Sequence, residues 1–170
     1  RTGLLEAMWL NGFMQSDAQD VSLSFVYNGL GQVQQVFSAG NGSDEQLVKE
    51  TAYDAQGRLT VAALGNGTQS SWAWHPTRQL PTGIYHGSDH LGLFAKVEYQ
   101  DVTGAPAWDD HANLLEERRY DTAGQLSTRK VHTYDYLDRL ATSLLKSPLF
   151  EENFEAYQYS PSGNITQAAG

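Results

Sequence analysis

The heptad Tyr53-Asp54-Ala55-Gln56-Gly57-Arg58-Leu59 decides the reading, because its order of residue types recurs along the chain. It runs aromatic, acid, two variable residues, glycine, polar residue, aliphatic. Tyr120-Asp121-Thr122-Ala123-Gly124-Gln125-Leu126 matches throughout, and Tyr27-Asn28-Gly29-Leu30-Gly31-Gln32-Val33 keeps every class with Asn for Asp. Four copies are degraded. Tyr159-Ser160-Pro161-Ser162-Gly163-Asn164-Ile165 has Ser in the acid place, and Tyr134-Asp135-Tyr136-Leu137-Asp138-Arg139-Leu140 has Asp in the glycine place. Trp108-Asp109-Asp110-His111-Ala112-Asn113-Leu114 substitutes Trp and Ala, and Trp74-His75-Pro76-Thr77-Arg78-Gln79-Leu80 loses both acid and glycine. The starts at 27, 53, 74, 108, 120, 134 and 159 are irregularly spaced, which excludes a fixed-period helical solenoid.

Turn chemistry explains the pattern. Asp or Asn at the first position of a type I turn accepts hydrogen bonds from backbone N–H groups just ahead of it. The glycine then takes the positive φ that a hairpin with a bulge requires. The aromatic and the aliphatic flank the loop on opposite strands, where they form a cross-strand pair. Asp138 suits the glycine place, since Asp is among the commoner non-glycine residues at positive φ. Ala112 and Arg78 suit it less, so turns of another shape are expected there. Val21 to Tyr27 alternates apolar and polar residues as a strand does. Gly40-Asn41-Gly42 and Gly65-Asn66-Gly67 supply Asn–Gly hairpin signals after two of the copies. The expectation is an all-β antiparallel hairpin meander. Two stretches compete with it: 112–119 is rich in helix formers, read here as strand, and 138–157 spaces Leu140, Leu144, Leu145, Leu149, Phe150 and Phe154 as a helix would, leaving part of it open.

The 170 residues carry 11 Lys+Arg against 20 Asp+Glu, a formal net charge of −9. That balance, without a basic patch, argues against nucleic acid and against anionic lipid as partners. No apolar run reaches the ~20 residues of a membrane-spanning helix. The absence of cysteine excludes disulfides, thiolate metal sites and thiol nucleophiles. The opening Arg1-Thr2-Gly3-Leu4-Leu5-Glu6 has neither an initiator Met nor a signal peptide, so the chain is expected to be one segment, 1–170, of a larger polypeptide.

The repeated Tyr-Asp-x-x-Gly-polar-Leu heptad resembles the tyrosine–aspartate (YD) repeat of bacterial Rhs proteins, of the B and C components of Tc insecticidal toxins, and of teneurins. The likeness covers about residues 21–170. It implies part of a spiralling β-sheet shell that encapsulates a C-terminal toxic effector, and hence a secreted bacterial virulence protein. The implied partners are other YD repeats of the same or a partner chain, and the effector itself. The motif residues are then structural: Tyr27, Gly31, Tyr53, Asp54, Gly57, Leu59, Tyr120, Asp121, Gly124, Leu126, Tyr134, Asp135, Leu140, Tyr159 and Gly163.

Chemistry-bearing patterns are sparse. No Gly-x-Ser-x-Gly elbow, phosphate-cradling loop or dinucleotide fingerprint occurs, so neither an enzyme nor a cofactor is expected. His86 and His90, with Asp89 between them, lie in a glycine-punctuated stretch read as a surface loop rather than a metal pair. Asp17, Asp20, Asp44 and Glu45 lack calcium-loop spacing. Asp109-Asp110, Glu116-Glu117 and Glu151-Glu152 read as solvated charge. Trp72 and Trp74 are candidate sugar-stacking rings, which keeps a carbohydrate- or receptor-binding module, with a cell-surface glycan as partner, as the alternative function.

Overall fold

The computed structural model describes residues 4–10, 21–40, 43–88, 90–147 and 150–169. The turn expected at Asn41–Gly42, together with Asp17, Asp20, Asp89 and Leu149, lies outside them. Thirteen strands account for the described architecture: β1 Ala7–Leu10, β2 Val21–Tyr27, β3 Val33–Gly40, β4 Ser43–Tyr53, β5 Leu59–Leu64, β6 Thr68–Trp74, β7 Pro81–Ser88, β8 Gly92–Glu98, β9 Glu116–Tyr120, β10 Leu126–Tyr134, β11 Leu140–Ser147, β12 Phe150–Tyr159 and β13 Ile165–Ala169. They lie in one sheet in chain order, each bonded to its sequence neighbour. The antiparallel meander expected from the heptads is what the chain forms. Two compact units divide it, Arg1–Ser71 with Gly87–His90, and Trp72–His86 with Leu91–Gly170.

In the first unit, heptad turns join β2 to β3 and β4 to β5, and Gly65-Asn66-Gly67 joins β5 to β6. Asn66 Oδ1 accepts from Thr68 N at 3.0 Å and from Thr68 Oγ1 at 2.8 Å, which closes this tip. Gly65 is required by proximity, since a Cβ there would stand 1.8 Å from the Gln46 carbonyl oxygen. The turn docks on β4 by Gly65 N donating to Leu47 O at 2.9 Å.

In the second unit, β8 and β9 are joined by residues 99–115, which hold two successive turns and the isolated bridges Gln100↔Pro106 and Trp108↔Leu114. Ala107, 4% exposed, bonds to Tyr99 O through its N–H and accepts from Leu115 N through its carbonyl. Among the described residues neither helix-like stretch is helical: 116–119 lies in β9, after a turn at Ala112 and an isolated bridge at Leu114, and 140–147 and 150–157 lie in β11 and β12. In β9, Arg118 pairs with Glu116 and Arg119 with Glu117, each at 2.7 Å. Residues two apart face each other along a strand but not along a helix. In β11 and β12, Leu144 stands opposite Phe154 and Leu145 opposite Asn153, so the leucines divide between the two faces.

Among the described residues the buried apolar side chains are only Ala62 and Ala107, and no large side chain is fully buried. A sheet buries its faces only against another layer of structure.

Candidate functional site

The candidate site is the set of turns and the side chains that tie one to the next. Seven turns close identically. The residue in the acid place donates its N–H to the carbonyl four residues on, at 2.9 Å for Asn28, Asp54, Asp101, Asp121, Asp135 and Ser160 and 3.0 Å for Asp109. Its own carbonyl accepts from the residue in the glycine place, as Gly57 N to Asp54 O at 3.0 Å. Its side chain reads the same loop: Asp54 Oδ1 accepts from Gln56 N and Arg58 N at 2.9 Å each, and Asp121 Oδ1 from Ala123 N and Gln125 N at 2.9 and 2.8 Å.

Gly31, Gly57, Gly124 and Gly163 take positive φ as expected, and so do Asp138 at 58° and Ala112 at 72°. The expectation of an altered turn at Ala112 is therefore wrong: the loop's hydrogen bonds hold alanine in the left-handed region. At Trp74 the altered shape is real. There His75 N donates to Leu80 O, one residue farther on, and His75 Nδ1 accepts from Thr77 N at 3.3 Å in the role of the missing acid. The turn at Asp101 escaped the sequence reading, because Gln100 stands in the aromatic place. The signal that finds it is Asp-x-x-Gly alone, Asp101-Val102-Thr103-Gly104.

The aromatic and aliphatic positions are direct cross-strand partners: Tyr27↔Val33, Tyr53↔Leu59, Tyr120↔Leu126, Tyr134↔Leu140 and Tyr159↔Ile165. The tyrosines also do something the heptad does not disclose. Tyr53 Oη donates to Val33 O at 2.7 Å, Tyr134 Oη to Leu114 O at 2.9 Å and Tyr159 Oη to Leu140 O at 2.8 Å. In each case the acceptor is the aliphatic residue of the nearest earlier heptad turn at the same end of the strands, 19 to 20 residues back. Tyr27 Oη reaches Leu5 O at 2.7 Å, and Trp108 Nε1 reaches Pro81 O at 2.7 Å.

A second set of ties joins turn to turn through the polar sixth position. Gln32 Nε2 donates to Gly57 O at 3.4 Å, and Asn113 Nδ2 to Asp138 Oδ1 at 2.9 Å. Arg139 Nη1 lies 3.5 Å from Ser160 O, with its guanidinium 4.4 Å over the Tyr159 ring.

Tyr120 differs because β9 runs antiparallel to β8, which puts its turn at the opposite end of the strands from Asp109 and Asp135. Its Oη donates to Glu98 Oε2 at 2.7 Å, while Lys96 Nζ sits 2.8 Å from Glu98 Oε1 and 4.3 Å over the Tyr120 ring. Burial opposes ionisation of Glu98, but hydrogen bonds from Lys96 and Tyr120 prevail and hold its carboxyl below the usual range. Burial, then the Glu98 hydrogen bond and charge, push the Tyr120 hydroxyl up. Next to it, Glu116 is 6% exposed and takes Arg129 in a bidentate pair, at 2.8 and 2.7 Å, together with Arg118. Arg129 first, then Arg118 against the cost of burial, keeps Glu116 ionised. Solvated charge is therefore the wrong description of Glu116, which the sheet buries because two guanidiniums on adjacent strands satisfy it.

His86 is likewise not in a loop: it lies on β7 with its ring 5.7 Å from that of Phe94. Trp72 and Trp74 are half-buried on β6. No group of three His, Cys, Asp or Glu among the described residues is arranged to hold a metal.

No family model matches the sequence, and no curated protein does. Among solved structures, the chain is similar to a Tc holotoxin pore from Photorhabdus luminescens, with a TM-score of 0.71 and 17% identity over 89% of this chain and 8% of that one. A TcdB2-TccC3-TEV crystal structure gives the same values. TcdB2-TccC3 without its hypervariable C-terminal region gives a TM-score of 0.55 at 15% identity, over 89% of this chain and 9% of that one. The chain thus spans less than a tenth of those chains. At this level of identity the likeness defines architecture alone, and the architecture is the antiparallel hairpin meander.

Proposed function

We propose that the chain is a non-catalytic wall segment of a secreted Rhs/Tc-type toxin, one stretch of a YD-repeat shell that encloses a C-terminal effector. The observation that carries this reading is the tyrosine tie. Tyr53, Tyr134 and Tyr159 each clasp their own turn by register and hydrogen-bond an earlier turn at the same end of the strands, so their side-chain chemistry serves continuity between repeats. Scarcity of buried apolar side chains supports it too, since such a sheet depends on neighbouring repeats for stability. The partners are further YD repeats, in the same chain or a companion chain, and the enclosed domain.

The test uses the native polypeptide that contains this segment. Protease digestion is expected to spare the C-terminal domain while the shell is intact and to cleave it once Tyr53, Tyr134 and Tyr159 are changed together to Ala. A C-terminal domain digested at the same rate with and without the intact repeats would overturn the reading. Trp72→Ala is expected to leave any glycan binding unchanged, because the wall reading gives that ring no ligand.

A further inference from the structure

We propose that His111 and Asp138 form a proton-operated clasp between two neighbouring turns, drawn tight in acid and relaxed as the pH rises. Asp138 stands in the glycine place of its turn at φ 58°, a left-handed conformation that Asp adopts more readily than most L-residues. Its carboxylate contributes nothing to closing its own loop, where Asp135 Oδ1 accepts from Leu137 N and Arg139 N at 2.9 and 3.1 Å. It reaches instead to the turn at Asp109. Asp138 Oδ1 lies 2.8 Å from His111 Nδ1 and accepts from Asn113 Nδ2 at 2.9 Å.

The surroundings favour the charged imidazole. The Asp138 hydrogen bond and charge, helped by Asp109 and Asp110 of the histidine's own turn, raise the His111 pKa above its ordinary value. Arg78 brings a cation to this turn, its guanidinium bonding the Asp109 carbonyl at 2.6 Å and lying 3.5 Å from that of Asp110. In the other turn Arg139 is engaged by Asp135 at 2.6 Å. The sign follows from the raised pKa: the stabilisation is fully present below the unfolded histidine value, about 6.5, and is lost as the pH climbs through the higher folded value. Neutral His111 retains a donor only as the Nδ1–H tautomer, and the ionic part of the contact is gone. In the wall, this would tighten one seam between repeats in an acidified compartment; that consequence rests on the wall reading, whereas the clasp does not.

The test reads single histidines in the intact native polypeptide, by pH-dependent deuterium exchange at imidazole C2 followed by mass spectrometry. The His111 midpoint is expected to lie above 6.5 and to fall in Asp138→Gly, a substitution that suits the backbone and therefore leaves the turn folded. Amide exchange of residues 109–113, corrected for its intrinsic pH dependence, is expected to be slower at pH 5.5 than at 7.5, a difference abolished in His111→Gln. Equal His111 midpoints in the parent and Asp138→Gly, or seam protection that ignores pH, would sink the clasp. Neither readout depends on what the shell encloses.

Discussion

The Tyr53 hydroxyl donates to the carbonyl oxygen of Val33 at 2.7 Å, linking the aromatic of one turn to the aliphatic residue of an earlier turn at the same end of the strands. The same carbonyl accepts from Thr51 Oγ1 at 2.6 Å. Val33 O thus receives two side-chain donors from β4, where the bulge between Val36 and Phe37 shifts the pairing of β3 with β4. The tyrosine places its ring on its own hairpin and its hydroxyl on an earlier one. Tyr134 and Tyr159 repeat this relationship in the second unit.

Removing only the hydroxyl separates the two roles. Tyr134→Phe and Tyr159→Phe keep the ring opposite Leu140 and Ile165 but delete the tie, and each is expected to cost about 1 kcal/mol. Tyr53→Phe is expected to cost less, because Thr51 still satisfies Val33 O. Urea midpoints of the three variants decide it; equal losses would show that the Thr51 bond is irrelevant.

Breaking the Glu116 cluster is expected to be the most damaging single change. Glu116→Ala leaves Arg118 and Arg129 facing each other without their shared carboxylate, at a cost of about 3 kcal/mol. Replacing Glu116, Arg118 and Arg129 together by apolar residues of similar volume is expected to restore most of that. A triple variant no more stable than Glu116→Ala would refute the account of a buried charge left unmatched.

Alanine and glycine give opposite signs at equivalent turn positions. Gly57→Ala forces a Cβ into φ 78° and places it 3.2 Å from the Gln32 amide nitrogen, so a loss of about 1–2 kcal/mol is expected. Ala112→Gly relieves φ 72° and is expected to stabilise by up to about 1 kcal/mol. Thermal melts of both variants check the pair, and a destabilised Ala112→Gly would mean that the alanine methyl has packing value at its tip.

Acid is expected to loosen the turns before it disturbs the ladder. Asp54, Asp101, Asp109 and Asp135 all have pKa values lowered in the folded chain: in Asp101, Asp109 and Asp135 a side-chain hydrogen bond is the leading cause, while in Asp54 bonds from Arg58 and Gln56 outweigh a larger opposing effect of burial. A depressed folded pKa means stability present above the unfolded value, about 3.9, and lost as the pH falls through the lower folded values. Amide exchange at Gln56 and Arg58, with Asp54→Asn as the control that keeps Oδ1 but cannot titrate, tests this below pH 4. The predicted ordering fails if the variant and the parent respond alike.

The heptads made the β-hairpin architecture legible because turn chemistry is local. An acid with its carboxylate over the next N–H groups and a residue at positive φ lie within five residues of one another, so residues 53–59 fix their own shape. Residues 112–119 and 138–157 were ambiguous for the complementary reason, that short apolar and charged runs fit either period until a neighbouring strand is present. The Asp101 turn was hidden by Gln100, since an aromatic entry is useful to a hairpin but is not what closes it.

Local chemistry could not place the long-range partners. The tyrosine hydroxyl bonds cross 19 to 20 residues, the Arg129–Glu116 pair crosses 13 and the His111–Asp138 contact crosses 27. Sequence determined where the chain bends and which residue types flank each bend. Only the register of one strand on the next decided which carbonyl a hydroxyl meets and which carboxylate is buried, because a slip of one residue sends every side chain to the other face.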